Sequence, residues 1–488
     1  MRAGNVDKWP GSLSNPGMIP RVPADLSQLS PEQKDALIIA LLARIEGLAA
    51  QVAALQAENA ALSARVAELE ARLGQPPKTP DNSGTPPSRG QKRNQPARVK
   101  REGPRAGSLG RQGGGRKLAA EPDQFVTATP THCRHCGTVL QAGDHVLHGR
   151  YDKIDLPPVR PVVTRVERYA GRCPGCGGVT VAPVPEGLEE GTPFGPGIVA
   201  AALYLRYVHA ISYQRLARLF RDLFGVAVSE GALDSLFQRA KPHVDREVAV
   251  ILARLRRSRV ICSDETTVRI NGRTCWNWVF QNAAVVIHVV RPTRAAAVVN
   301  EVLDGHRPSF WVSDLYGGQQ GHADLWQVCL AHQLRDCQYA IEAGDALFAP
   351  RMKTLLLRAV VLACRRHDLA ASTRREYRRR LERDLDAIMA LAPENRHGKR
   401  LRKRYAKVRD HLFTFLDHPE VPPDNNGSER ELRPTATYRK VTGGFRSGWG
   451  ADLFAGIKSV LGTAARHGLD AYQAIRQTLC GHSILDPG

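Results

Sequence analysis

The chain has 488 residues and a formal net charge of +21, with a pI near 9.9. That charge favours a polyanionic partner, DNA or RNA, over a basic enzyme that touches no nucleic acid, and the length predicts roughly three domains. The ten cysteines lack the dense spacing of a secreted disulfide scaffold. Met1–Pro31 has no apolar core for a signal peptide, and no apolar run approaches the ~20 residues that span a bilayer. A cytoplasmic, nucleoid-associated protein with no membrane partner is therefore expected.

After an irregular N-terminus (residues 1–28), residues 29–74 carry a heptad pattern. Leu41, Leu48, Leu55, Leu62 and Leu69 recur every seventh residue, with Ile45, Val52, Asn59, Val66 and Leu73 as the second seam. Leu at d, mostly β-branched residues at a and a lone Asn at a favour a parallel two-stranded coiled coil. A homodimer or higher oligomer follows, against the alternative of an amphipathic helix docked on its own domain. Residues 75–125 are a basic linker, too poor in large apolar side chains to bury a core. Its cations, among them Lys100, Arg101, Arg116 and Lys117, suit either a solvating tether or an arm that contacts DNA phosphates.

Two Cys-x-x-Cys pairs, Cys133/Cys136 and Cys173/Cys176, lie within residues 126–182. Thiolates two residues apart grip one metal, so two such knuckles predict a structural Zn²⁺; a redox dithiol needs only one pair. The alternation over Val162–Tyr169 predicts a strand of a zinc-ribbon hairpin, and His132 and His135 are bystanders or substitute ligands. Residues 183–250 read as helical. One helix ends at Gly225 and the next starts from Ser229 as N-cap, which fits a helix-turn-helix or an ordinary helical hairpin.

From Arg259 the period changes. Short β runs at Val260–Cys262, Trp276–Phe280 and Val285–Val290 are followed by a helix over 293–303 and a fourth strand ending at Asp314; Asn271-Gly272 marks a hairpin turn. The order β-β-β-α-β, with Asp264 on the first strand and Asp314 on the fourth, is that of a ribonuclease-H-like core. A helical, Arg-rich insertion at about 345–419 separates it from Glu429, where a loop turns into a helix. This core spans residues 251–447, and 448–488 form C-terminal helices. Three carboxylates so placed can converge on divalent metal and drive in-line displacement at phosphorus. Mg²⁺ suits such hard oxygen ligands. Glu265 faces away from Asp264 on the strand, and Glu431 lies about 200° around the helix from Glu429.

The most specific segment is Asp424-Asn-Asn-Gly-Ser-Glu-Arg-Glu-Leu-Arg-Pro434. It resembles the Asp-Asn-Asn-x-x-Glu-Arg-x-Leu-Arg-Pro block of the IS66 family of insertion-sequence transposases. The likeness extends over the zipper, linker, zinc module, catalytic core and C-terminal helices. It implies a DDE transposase with Asp264, Asp314 and Glu429 as catalytic, Mg²⁺-binding acids. The implied activity is nicking at element ends and strand transfer into target DNA, with small accessory proteins of the same element as partners.

Cys329-Leu-Ala-His332 is similar to the Cys-x-x-His element that follows the second Asp in this family. Asp314-Leu-Tyr316 departs from the family's frequent Asp-Gly-Tyr. Arg430 and Arg433 are candidate DNA contacts, with simple salt bridges as the alternative. Gly443–Gly448 is a Gly-rich loop without the lysine of a nucleotide-binding loop. The fold expected is thus multidomain α+β: a ribonuclease-H-like core with a helical insertion, a coiled coil, a zinc ribbon and a helix-turn-helix-like DNA-binding region. The rival functions are a non-catalytic zinc and helix-turn-helix DNA-binding protein, and a metal-dependent nuclease without strand transfer.

Overall fold

The computed structural model describes residues 26–73, 75–79, 81–83, 117–188 and 190–486. The described residues fall into two units divided after Pro77. The first is essentially helix α1, Pro31–Leu73. A capping box starts it: Ser30 Oγ accepts from the Gln33 amide at 3.2 Å, and Gln33 Oε1 accepts from the Ser30 amide at 3.0 Å. Both heptad seams lie open to solvent, with Leu55 64% and Ile45 61% exposed. The side chains of Leu69 and Leu73 fall outside the described residues. Residues 31–66 of α1 are long and apolar enough to cross a membrane by length and composition, contrary to the expectation drawn from the lack of a continuous apolar run. Alanines between the heptad positions supply that average without making a large apolar block.

In the second unit the segment bearing the four cysteines is largely extended and exposed. It contains one short antiparallel ribbon, β1 (Ala170–Arg172) with β2 (Val179–Val181). The strand expected over Val162–Tyr169 is absent. Its alternating side chains, Val162 and Val163 among them, have no apolar surface to cover, and alternation yields a strand only where one face is buried.

Three helices follow: α2 (Pro196–Tyr207), α3 (Tyr213–Phe224) and α4 (Glu230–Leu255). Gly225 ends α3 in the left-handed region at φ 65°, a conformation glycine adopts without penalty. Ser229 Oγ caps α4 by accepting from the Ala232 amide. α4 is much longer than its cap alone foretold. It buries Leu233, Phe237, Val244 and Ile251 in the core, so that face of α4 is committed to packing.

The sheet that organises the unit has five strands: β3 (Val260–Ile270), β4 (Arg273–Gln281), β5 (Val286–Arg291), β6 (Phe310–Ser313) and β7 (Leu325–Val328), in the order β5-β4-β3-β6-β7. β3–β4 and β4–β5 are antiparallel, β3–β6 and β6–β7 parallel. Asn271 and Gly272 turn β3 into β4 with φ 46° and 76°, the double positive φ of a two-residue hairpin. Helix α5 (Ala297–Leu303) makes the crossover to β6.

Alternation divides the sheet into two faces. Ile261, Trp278, Phe280 and Trp311 bury one face in a core shared with α2–α5. Cys262, Phe310 and Val312 bury the other beneath helices of the long insertion, which joins the sheet through α6 (Leu330–Glu342) and continues as α7 (Phe348–Arg365), α8 (Ala371–Met389), α9 (Arg396–Val408) and α10 (Thr414–Asp417). Helix α11 (Asn426–Thr442) crosses the same face nearer β4, where Leu432 meets Val279 and Val286.

Helices α12 (Gly448–Arg466) and α13 (Ala471–Leu479) complete the unit. α12 closes the β5 edge: the Val286 and His288 amides donate to Thr463 Oγ1 and Ser459 Oγ at 3.0 and 2.8 Å. Outward amides that would otherwise template another strand are thereby satisfied.

Candidate active site

The register of β3 on β6 brings the first two acids together. Val260, Ile261 and Cys262 pair with Phe310, Trp311 and Val312. Continuing that register sets Asp264 level with Asp314, just where β6 ends and β3 runs on beside β4. Both follow Cys262 and Val312 by two residues, so both side chains lie on the face that carries α11. Local amides orient them: Asp264 Oδ1 accepts from the Glu265 N–H and Asp314 Oδ1 from the Tyr316 N–H, each at 2.9 Å. The departure from Asp-Gly-Tyr thus keeps an Asp turn that any residue at position 315 allows.

Glu429 reaches this face from the first turn of α11, whose start is tied down by Asn425. The Asn425 amide donates to Cys329 Sγ at 3.1 Å, and its Nδ2 donates to the Ser263 carbonyl at 2.7 Å. The Leu330 amide donates to the Pro423 carbonyl at 3.0 Å. Farther along α11, Thr435 Oγ1 accepts from Asn277 Nδ2 at 2.8 Å, and Arg439 Nη1 donates to the Thr267 carbonyl at 2.6 Å. Gly427 lets the helix approach so closely: a Cβ there would lie 2.7 Å from Gln281 Nε2. Cys329, fully buried and with its thiol pushed up to about 12 by burial, is thus a packing and hydrogen-bonding residue.

The Glu429 carboxylate is engaged by α6. Arg335 Nη2 donates to its Oε1 at 2.7 Å, and His332 Nε2 stands 3.6 Å from the same oxygen. Burial, then Arg335, holds His332 below its ordinary pKa, so it stays neutral at neutral pH. No sequence motif singles out Arg335. The available signal is its place three residues after His332, on the same side of one helix.

Carboxylate crowding defines the electrostatics. Burial first, then the charges of Glu265 and Asp314, with a smaller push from Glu429, raise the Asp264 carboxyl well above the usual range. Glu265 points to the opposite face, as expected. Its carboxylate takes Arg294 Nε at 2.7 Å and Gln319 Nε2 at 2.6 Å, and Arg294 lies 3.7 Å over the Tyr316 ring. Glu431 likewise serves elsewhere, bound to Arg466 at 2.8 Å.

Three hard carboxylate donors on one face suit Mg²⁺ in kind, and their mutual repulsion favours a cation. Their oxygens do not converge on one coordination sphere: among the described residues no three His, Cys, Asp or Glu side chains are gathered closely enough to hold a metal ion. Glu429 is instead paired with Arg335. The same holds for the zinc candidates. Each knuckle is well formed, with the Gly137 amide on the Cys133 carbonyl and the Gly177 amide on the Cys173 carbonyl at 2.9 and 2.8 Å. Neighbouring donors lower the Cys136 and Cys173 thiols: Thr138 hydrogen bonds acting on Cys136, and the Cys176 and Gly175 amides acting on Cys173. The four thiols remain two separate pairs.

Arg430 and Arg433 line, with His209, Tyr438 and Lys458, a cleft of about 390 Å³ beside α2. Lys117 is exposed, while Lys100, Arg101 and Arg116 lie outside the described residues. The Gly-rich loop has a structural task. Gly444, at φ 112°, lies where a Cβ would come within 2.7 Å of the Arg269 carbonyl, and Phe445 bridges to Ile270 at the end of β3.

The family model described as Transposase IS66 family matches residues 191–453, just over half of the chain and the whole of the sheet and its acids. The chain belongs to the IS66 transposase family. Membership places it among DNA-processing enzymes and implies DNA binding. No curated protein matches the chain.

Proposed function

We propose that this IS66-family protein is a DDE transposase that cuts DNA at the ends of its element and joins the freed ends to target DNA. The observation that carries the reading is the shared face of Asp264, Asp314 and Glu429. The first two are set level by the parallel β3–β6 register, and the third is delivered by a helix clamped to Ser263. The strand order, with its two antiparallel and two parallel pairings, supports a ribonuclease-H-like core at residues 251–447.

In this reading Asp264, Asp314 and Glu429 hold Mg²⁺. Bound Mg²⁺ would lower the pKa of an attacking water or hydroxyl and stabilise charge on the leaving oxygen. The residues of the chain do the rest. Asn425 fixes the distance of Glu429 from β3, the Glu265 and Tyr316 amides aim the two aspartates, and Arg430 and Arg433 meet phosphates along α11.

Cys133, Cys136, Cys173 and Cys176 close on one structural Zn²⁺, and the heptads of α1 pair two copies. Residues 75–125 form a basic tether to DNA. α3 and α4 form the helix-turn-helix-like element, with the exposed side of α3 (Arg218 and Arg221) toward DNA. Accessory proteins of the element are further partners.

The test is incubation of the full chain and Mg²⁺ with DNA carrying the inverted repeats that flank its gene, plus a target plasmid. Nicks at the repeat ends together with joined products support the proposal. Nicks without joined products indicate a nuclease, and bound but uncut DNA indicates a non-catalytic DNA-binding protein.

A further inference from the structure

Helix α9 is the most one-sidedly charged element among the described residues. Its sequence, Arg396-His-Gly-Lys-Arg-Leu-Arg-Lys-Arg-Tyr-Ala-Lys-Val408, contains no acid. The helical spacing sorts its cations. Leu401, Tyr405 and Val408 are buried on one side, and Arg396, Lys399, Arg400, Lys403 and Lys407 fall within a stripe about 100° wide on the opposite side. Lys399, Arg400, Lys403 and Lys407 are exposed, and among the described residues none of the five makes a salt bridge. From Arg396 to Lys407 the stripe is roughly 16 Å long at 1.5 Å per residue.

The neighbouring helix makes the contrast. α8 is also Arg-rich, but acids are set among its arginines: Glu376 takes Arg379 and Arg380, and Glu382 takes Arg378. On α9 the i,i+4 neighbours Lys399–Lys403, Lys403–Lys407 and Arg396–Arg400 are all like charges. Each such pair destabilises an isolated helix slightly. A stripe that repels itself along its whole length is stabilised by a polyanion laid against it.

Its packing sets which way the stripe faces. α9 packs on α6 through a Tyr405–Cys337 contact at 3.4 Å and an Arg404–Asp336 ion pair. Asp336 directly follows Arg335, the residue that holds Glu429. The stripe, on the side of α9 opposite Tyr405, therefore faces away from α6, on the outside of the insertion that covers one face of the sheet.

We infer that α9 is a docking surface for the phosphate backbone of duplex DNA, holding the duplex against the outside of the insertion without reading its sequence. The inference rests on the transposase reading for the identity of the polyanion. Its cations act as point charges spaced along a rigid rod, which suits phosphates rather than base edges. Each phosphate neutralised contributes about 0.9 to the slope of log affinity against log salt.

The test compares two full-length quadruple variants by fluorescence anisotropy on a labelled duplex of arbitrary sequence, over a series of salt concentrations. K399Q/R400Q/K403Q/K407Q empties the α9 stripe; R375Q/R379Q/R380Q/R383Q removes the same charge from α8. The α9 variant is expected to bind on the order of a hundredfold more weakly and to lose about 3.6 from the salt slope, with the α8 variant close to wild type. A third variant, K399R/K403R/K407R, keeps the charge and should keep the affinity. Equal losses in the two quadruple variants would reduce the effect to net charge and overturn the inference, as would no loss in either. Failure of the wild-type chain to bind duplex DNA would overturn the transposase reading along with it. Far-ultraviolet circular dichroism melts confirm that each variant folds.

Discussion

Asn425 Nδ2 donates to the Ser263 carbonyl at 2.7 Å, joining the residue before Asp264 to the residue four before Glu429. The Glu429 amide in turn donates to the Asn425 carbonyl at 3.2 Å. One amide side chain thus sets the spacing of two acids that lie 165 positions apart in the sequence. This clamp gives the first asparagine of the Asp-Asn-Asn block a structural task of its own.

Replacing Asn425 by Ala leaves the Ser263 carbonyl without its donor in a buried site. A cost of about 1–3 kcal/mol is expected from the unsatisfied group. DNA nicking should fall more than stability does, because Glu429 loses its reference to β3. Urea denaturation and a nicking assay on the same preparation measure the two effects. An N425A protein of wild-type activity would show that the clamp does not set the site.

Asp264 makes stability depend on pH. Its carboxyl is raised by burial and by Glu265 and Asp314, whereas in the unfolded chain it ionises near ~3.9. Between those two values the folded state binds more protons than the unfolded one, so stability falls as pH rises through the window. Asp264→Asn should flatten that slope and stabilise the metal-free protein at neutral pH by about 1 kcal/mol, the scale of relieving like-charge crowding. Melting temperatures against pH for the two proteins decide it; parallel curves would refute the assignment.

Arg335 holds Glu429 Oε1 at 2.7 Å, so in the proposed site it would compete with a divalent cation for this carboxylate. Removing it frees the carboxylate and takes a positive charge out of the site, so Arg335→Gln should bind Mn²⁺ about tenfold more tightly in the absence of DNA, a difference of about 1.4 kcal/mol. Calorimetric titration reads this directly. In a Glu429→Gln background the same substitution should change nothing, since the two effects are coupled through one contact. Weaker Mn²⁺ binding by R335Q would mean that Arg335 only positions Glu429.

Gly462 on α12 sits over the β5 edge, where a Cβ would come within 2.9 Å of Glu431 Oε2 and 3.0 Å of Val286 Cγ2. Glu431 is held by Arg466 and Val286 by its strand, so neither yields freely. Gly462→Ala should destabilise the protein by about 1–3 kcal/mol, the usual range for overpacking. A thermal melt tests this, and an unchanged midpoint would show that the helix shifts at no cost.

The two knuckles should close on a single metal. One Zn²⁺ per chain is expected by elemental analysis, lost on replacing Cys133 or Cys173 by Ser, because a structural site needs all four thiolates. Two ions per chain, or none, would contradict a shared site.

Local signals in the sequence carry much of the fold. Gly225 and Ser229 mark the end of α3 and the start of α4 through φ and a hydroxyl cap, both properties of single residues. Asn271-Gly272 marks the β3–β4 turn for the same reason, and strand alternation separates Glu265 from Asp264. Long-range relations are not legible. Pairing of Cys262 with Val312 depends on a crossover through α5, and the Arg335 contact depends on how α6 docks against α11. Val162–Tyr169 misleads because alternation reports a strand only when a partner face exists, and that segment has none among the described residues.

Strand transfer of pre-cleaved element ends into a target plasmid with Mg²⁺, comparing the wild-type chain with D264N, D314N and E429Q, probes the role of the three acids. Three folded variants that bind the ends but yield no joined products, against a joining wild type, are the predicted result. Joined products from any one of the three would remove that acid from the site and contradict the account.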